Sequence, residues 1–131
     1  MSGAPATPAA LDGTWVPVAA RISGQPLILR ELRVARLVLD RGAYAIHDHA
    51  HRVVDRGDFR VDEAQRPQAM DIVGIEGPFA GRTMLAIYEL RADQLTVCYD
   101  LEAPQRPVAM AWREDQLLLA ITYARAASLF S

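Results

Sequence analysis

Three histidines fall at positions 47, 49 and 51, and they are the only ones in the chain. On a continuous strand their rings would share one face, with neighbouring Cα atoms about 6.5–7 Å apart. A His-x-His pair so placed, with a third ligand nearby, can hold zinc or iron. If the chain instead reverses at Asp48-His49-Ala50, His47 and His51 face each other across a hairpin, His49 sits at its tip and Asp48 adds an oxygen. His47, His49 and His51 are therefore the candidate metal ligands. A divalent metal is an option here, and no cofactor is required. No second cysteine or paired carboxylate cluster completes a tetrahedral set, so a solvated hairpin tip is the plainer reading. The same rings could also move a proton near neutral pH.

A second group of candidates is aromatic and thioether. Over 82–90, Met84, Ala86 and Tyr88 share one face, while Leu85, Ile87 and Glu89 share the other. Over 94–100, Leu95, Val97 and Tyr99 oppose Thr96, Cys98 and Asp100. Both faces carry apolar residues, so pattern alone leaves inside and outside open. Tyr44, Met84, Tyr88, Tyr99 and Met110 are the candidate ligand-binding set, their hydroxyls supplying polar anchors in an apolar pocket. Asp55, Asp58, Asp71, Glu89 and Asp100 lie on or beside strands. Most are expected to face outward, with Asp100 placed to line a mouth. No Ser-His-Asp or Cys-His arrangement follows from the spacing. Cys98 reads as a small core residue.

These residues need elements to position them, and the elements read as strands. Leu11 to Ile22 is the first, with Pro17 marking an edge or bulge because proline cannot donate to a ladder. Ser23 to Pro26 is a turn, and Leu27 to Val34 suits a short helix. Strands follow at 35–40, 43–47 and 52–61, with Gly42 supplying positive φ to the turn after Asp40. Further strands are expected at 68–75, 82–90, 94–100, 107–112 and 116–124. Eight or nine short strands with hairpin connections predict an all-β, up-and-down antiparallel barrel, with one short helix after the first strand. Closure removes exposed edges, and a barrel of this size is either filled by side chains or holds one small ligand.

Composition sets the outer limits. The 131 residues suffice for one domain, and a chain of this length buries a core without staples. Apolar residues make up 51% and charged residues 23%. A net charge of −2 supplies no field for nucleic acid. All 14 basic residues are arginine, which leaves an anionic ligand open. With Cys98 as the single cysteine no internal disulfide forms, which suits a reducing compartment. The Ala/Pro-rich opening does not resemble a signal peptide, and no apolar run has the length of a membrane span. The expectation is a cytoplasmic protein with a flexible N-terminal tail at 1–10, a barrel at 11–125 and a C-terminal tail at 126–131.

Several stretches resemble a known family. They are Leu11-Asp12-Gly13-Thr14-Trp15, then Gly24-Gln25-Pro26-Leu27, then Gly57-Asp58-Phe59. Most distinctive are Ile87-Tyr88-Glu89-Leu90 with Asp93 to Tyr99, and Arg106-Pro107 beyond them. The chain resembles the small, uncharacterised lipocalin-like domain family abundant in planctomycetes and found in other bacteria. The resemblance implies a lipocalin-like β-barrel and carries no activity or site residues. The stretch Ile46 to His51 departs from it, where Gly-rich turn residues are usual.

In such a barrel Trp15 is a floor plug under a cationic side chain, with Arg125 the first candidate and Arg113 the second. Arg over an indole adds about 0.5–2 kcal/mol. The leading functional expectation is binding of a small, partly apolar molecule in the lumen. The alternative is an enzyme or accessory protein of a biosynthetic pathway. It would be of isomerase or cyclase type, or metal-dependent through the three histidines, shaping its substrate within the barrel. A third expectation is a homodimer using Leu117, Leu119, Ile121 and Phe130.

Overall fold

Alternation of inward and outward side chains organises the strands into one antiparallel wall. The computed structural model describes residues 9–102, 105–110 and 117–126. It contains β1 (Gly13–Ile22), β2 (Gln25–Pro26), β3 (Arg36–Asp40), β4 (Ala43–His47) and β5 (Val53–Asp62). These continue into β6 (Gln68–Glu76), β7 (Thr83–Arg91), β8 (Gln94–Asp100) and β9 (Leu118–Arg125). The sheet runs β2-β1-β3-β4-β5-β6-β7-β8-β9 and closes through a β1–β9 pairing. The result is the expected up-and-down, lipocalin-like barrel: eight strands in the closed wall, and β2 as a two-residue extra strand folded back on β1.

The local chemistry is legible at several points. Pro17 pairs with Tyr123 and Ala19 with Thr122, so Val18 is an extra residue and β1 bulges beside its proline. The two-residue turn between β3 and β4 has Arg41 at φ 47° and Gly42 at φ 88°, the left-handed pair that suits the twist of a tight hairpin. The segment expected as a short helix forms a single 3-10 turn, Leu29–Glu31, with no side-chain cap on its first residue. Leu27, Leu29, Leu32 and Val34 pack against the core from this segment, which therefore lies across the barrel rather than standing as a longer helix.

The floor forms as anticipated. Trp15 is fully buried, and its indole Nε1 donates to the Leu11 carbonyl at 2.9 Å. Arg125, its ladder partner on β9, lies over the ring with its guanidinium carbon 4.3 Å from the centroid. That guanidinium also donates to the carbonyls of Asp12 at 2.9 Å and Ala10 at 2.7 Å. One cation thus stacks on the plug and satisfies the chain entering the first strand. Arg113, the second candidate, lies outside the described residues.

The wall between β6 and β9 carries a second, smaller core on its outer face. Ile87, Cys98 and Leu118 are buried there, with Met110 and Ala120 packed against them. The chain after β8 supplies the cover. Arg106 donates to the carbonyls of Ala86 at 2.8 Å and Met70 at 3.3 Å, and pairs with Asp71 at 2.6 Å. Residues 107–110 of the expected 107–112 strand are not in strand conformation. They begin with Pro107, which has no N–H for a ladder, and lie over the wall as a strap. Trp112 is outside the described residues. Among the described residues no helix is long and apolar enough to cross a membrane.

Candidate functional site

The strand that shapes the interior most is β5. Arg56, Asp58, Arg60 and Asp62 are exposed on it, while Asp55, Gly57, Phe59 and Val61 are buried. Phe59 and Val61 fix which face is inside, and strict alternation then carries Asp55 inside with them. This corrects the expectation of an outward, solvated carboxylate: Asp55 is 6% exposed. Its signal was in the sequence, as four charges at even positions flanking an inward odd row.

Gly57 makes this possible. Across the β4–β5 ladder it faces Tyr44. A Cβ at Gly57 would collide with the Val73 carbonyl oxygen and stand 2.8 Å from Tyr44 Cε1. The phenol therefore lies over bare backbone, and its hydroxyl donates to Asp55 Oδ1 at 2.9 Å. Among the described residues Tyr44 is the hydrogen-bond partner of that carboxyl.

Around this pair the lumen is open. An inner cavity of about 60 Å³ is walled by Leu37, Tyr44, Phe59, Met70, Met84, Leu95, Val97 and Tyr123 among others. A vestibule of about 170 Å³ lies above it, lined by Leu32, Arg33, Val34, Val54, Pro78 and Leu119. Ile46, Asp55, Phe79, Tyr99 and Ile121 line both, so the carboxyl stands where the two meet. The β6–β7 loop sets Phe79 edge-on to Tyr99, ring centroids 6.1 Å apart and planes at 89°. Arg82 lies over the other side of Phe79, 5.9 Å from its centroid.

The electrostatics follow from burial. Loss of water pushes the Asp55 carboxyl above its ordinary range; the Tyr44 hydrogen bond and then the Arg33 charge pull it back without cancelling that rise. Burial, with the Asp55 charge adding to it, raises the hydroxyls of Tyr44, Tyr99 and Tyr123 well above the usual phenol value. All three remain neutral hydroxyl groups at physiological pH. The site offers an apolar chamber, three phenols and one desolvated carboxyl.

No family model, curated protein or solved structure matches this chain.

Of the expected binding set, the fold brings Tyr44, Met84 and Tyr99 together on the cavity wall. Tyr88 also points inward, but it is packed in the main core near Asp62 and Glu63 and does not line the cavity. Burial raises its hydroxyl to about 12. Met110 is a correction. It packs on the outer core with Ile87 and Cys98, because the segment that carries it straps the wall from outside.

The histidines do not converge. The chain does reverse after His47, but the ladder partner of His47 is Val53, so His51 does not face it. His47 is half-buried at the end of β4, and its Nδ1 is buried without a hydrogen-bond partner. His49 Nε2 is 3.2 Å from the Leu32 carbonyl, and His51 takes φ 64° in the exposed turn. Asp48 organises this loop instead, accepting from the backbone N–H groups of Ala50 and Arg52, each at 2.9 Å. Those bonds, the Arg52 one foremost, hold its carboxyl below the usual range. Among the described residues no three His, Cys, Asp or Glu side chains are grouped to hold a metal ion.

Asp100 is also corrected. It is buried on the outer face, opposite to inward Tyr99, and accepts from the Glu102 N–H at 2.9 Å rather than lining the mouth. Cys98 is 1% exposed in the outer core, its thiol pushed up to about 11 by burial and then by Asp100. Leu119 and Ile121, offered as outward dimer residues, line the interior instead. Phe130 lies outside the described residues.

Proposed function

We propose that this protein binds a small, partly apolar molecule in its lumen. One observation carries the reading: an apolar cavity under an open vestibule, with a single buried carboxyl and its tyrosine partner at the junction. Pockets of this kind bind through apolar area and take orientation from a few polar groups. The vestibule is comparable with the roughly 150 Å³ cavity that takes up a benzene ring.

The test is thermal unfolding with small aromatic probes such as indole. A guest that binds only the folded state at about 100 times its Kd contributes about 2.7 kcal/mol. Ile46→Trp, which fills the space shared by both chambers, should abolish the probe-dependent rise in Tm. An equal rise in wild type and Ile46→Trp would place the probe elsewhere and overturn the reading.

A further inference from the structure

Among the described residues Asp55 is the one carboxyl lining the two chambers, and the one cationic side chain lining either of them, Arg33, is exposed. Its hydrogen bond from Tyr44 engages Oδ1. Asp55 lines both chambers, and no hydrogen bond to its Oδ2 is formed by the described residues, which leaves that oxygen to accept from a guest. A carboxyl held this way is costly unless something pairs with it. The groups that face it are Tyr44, Tyr99 and Tyr123 from the wall, all neutral hydroxyls, and Arg33 from the rim. Arg33 is exposed, lines the vestibule and acts on Asp55 through its charge, but forms no ion pair with it.

Resting on the lumen-binding reading, we propose that the guest carries a protonated amine, which pairs with Asp55 at the junction of cavity and vestibule while its apolar body packs among Leu32, Val34, Phe79 and Leu119. The charge match is specific. A primary ammonium has three donors and no acceptor. Asp55 accepts one of them, and Tyr44 and Tyr99, which line the same cavity, each carry a hydroxyl oxygen able to accept another. A carboxylate guest would meet like charge at that point, and an alcohol would donate to the carboxylate without bringing a charge to balance it. The ammonium adds direct attraction between opposite charges in a site largely shielded from water. Bringing a cation to the carboxyl also reverses the penalty that burial imposes on its charged form.

Three probes with one ring and different heads test this: benzylamine, benzyl alcohol and benzoate, titrated calorimetrically into wild type and Asp55→Asn at neutral pH. The expected result is benzylamine binding at least about tenfold tighter than benzyl alcohol, the advantage coming from the opposite charge that only the amine brings to Asp55. Benzoate should be weakest. In Asp55→Asn the amine preference should vanish, while benzyl alcohol, which can still donate to the amide oxygen, keeps measurable though weaker binding, and that binding reports that the variant is folded. If the alcohol binds and the amine has no advantage, or keeps its advantage in Asp55→Asn, the amine inference is overturned and lumen binding stands. If none of the three binds wild type, both are overturned.

Discussion

Tyr44 sits directly across the β4–β5 ladder from Gly57, and the missing side chain of the glycine is what lets the phenol reach Asp55. The site therefore depends on an absent Cβ as much as on any side chain present. Gly57→Ala should lower stability by about 1–3 kcal/mol, the usual range for overpacking. Urea unfolding measures the loss, and an unchanged midpoint would show that Val73 and Tyr44 yield freely.

Asp55 gives the protein a signed pH dependence. Its carboxyl is raised in the folded state, so between the ordinary Asp value near 3.9 and its folded value the native protein binds more protons than the unfolded chain. Stability from this group then falls as pH rises through that window. Asp55→Asn keeps an acceptor for Tyr44 and removes the charge. Without a guest the variant should melt a few degrees above wild type at neutral pH. The gap should close as pH falls below the ordinary Asp range. Parallel melts from pH 3 to 8 read it; a gap of constant size would contradict the argument.

Tyr44→Phe removes the one donor that the described residues offer that carboxyl. The cost should be about 1–3 kcal/mol, the penalty of an unsatisfied buried group. The Asp55 carboxyl should climb further, since burial then acts with less opposition. Its carbon-13 chemical shift followed against pH reports this directly. A midpoint that stays in place would mean the hydrogen bond contributes little.

Trp15 and Arg125 seal the floor together. Trp15→Ala should cost about 3–5 kcal/mol, as for other buried aromatics cut to alanine. Arg125→Met keeps an aliphatic stem over the indole and loses the cation and its donors to Asp12 and Ala10. About 2–3 kcal/mol is expected there. Tryptophan emission should shift to the red as the floor opens.

Arg106 holds the outer strap over Cys98. In wild type the thiol should react slowly with a disulfide reagent, being buried and raised to about 11. Arg106→Ala should accelerate that reaction by about tenfold or more, because losing hydrogen bonds of a charged donor favours local opening. Equal rates would show that apolar packing alone holds the strap.

Much of this protein was already determined by local sequence. Turn residues such as Arg41-Gly42 and the alternation along each strand set the hairpins, and Pro17 set the bulge. The order of hairpins left only closure of β1 on β9, with Trp15 as the plug. Asp55 was legible too, once the charges at 56, 58, 60 and 62 are taken as the outer row. Other features were decided only by the tertiary structure. Alternation assigns residues to two faces without saying which is inside when both are apolar, as in β7 and β8. The same ambiguity on β9 hid that Leu119 and Ile121 enter the site, and Met110 left it because its segment straps the wall from outside instead of forming a strand. Convergence is likewise a property of the closed wall. Tyr44 and Asp55 meet because Gly57 lies beneath the ring, whereas His47, His49 and His51 diverge because a turn held by Asp48 carries them apart. Spacing along a chain fixes which way a side chain points on its own strand; only the pairing of strands fixes what it meets.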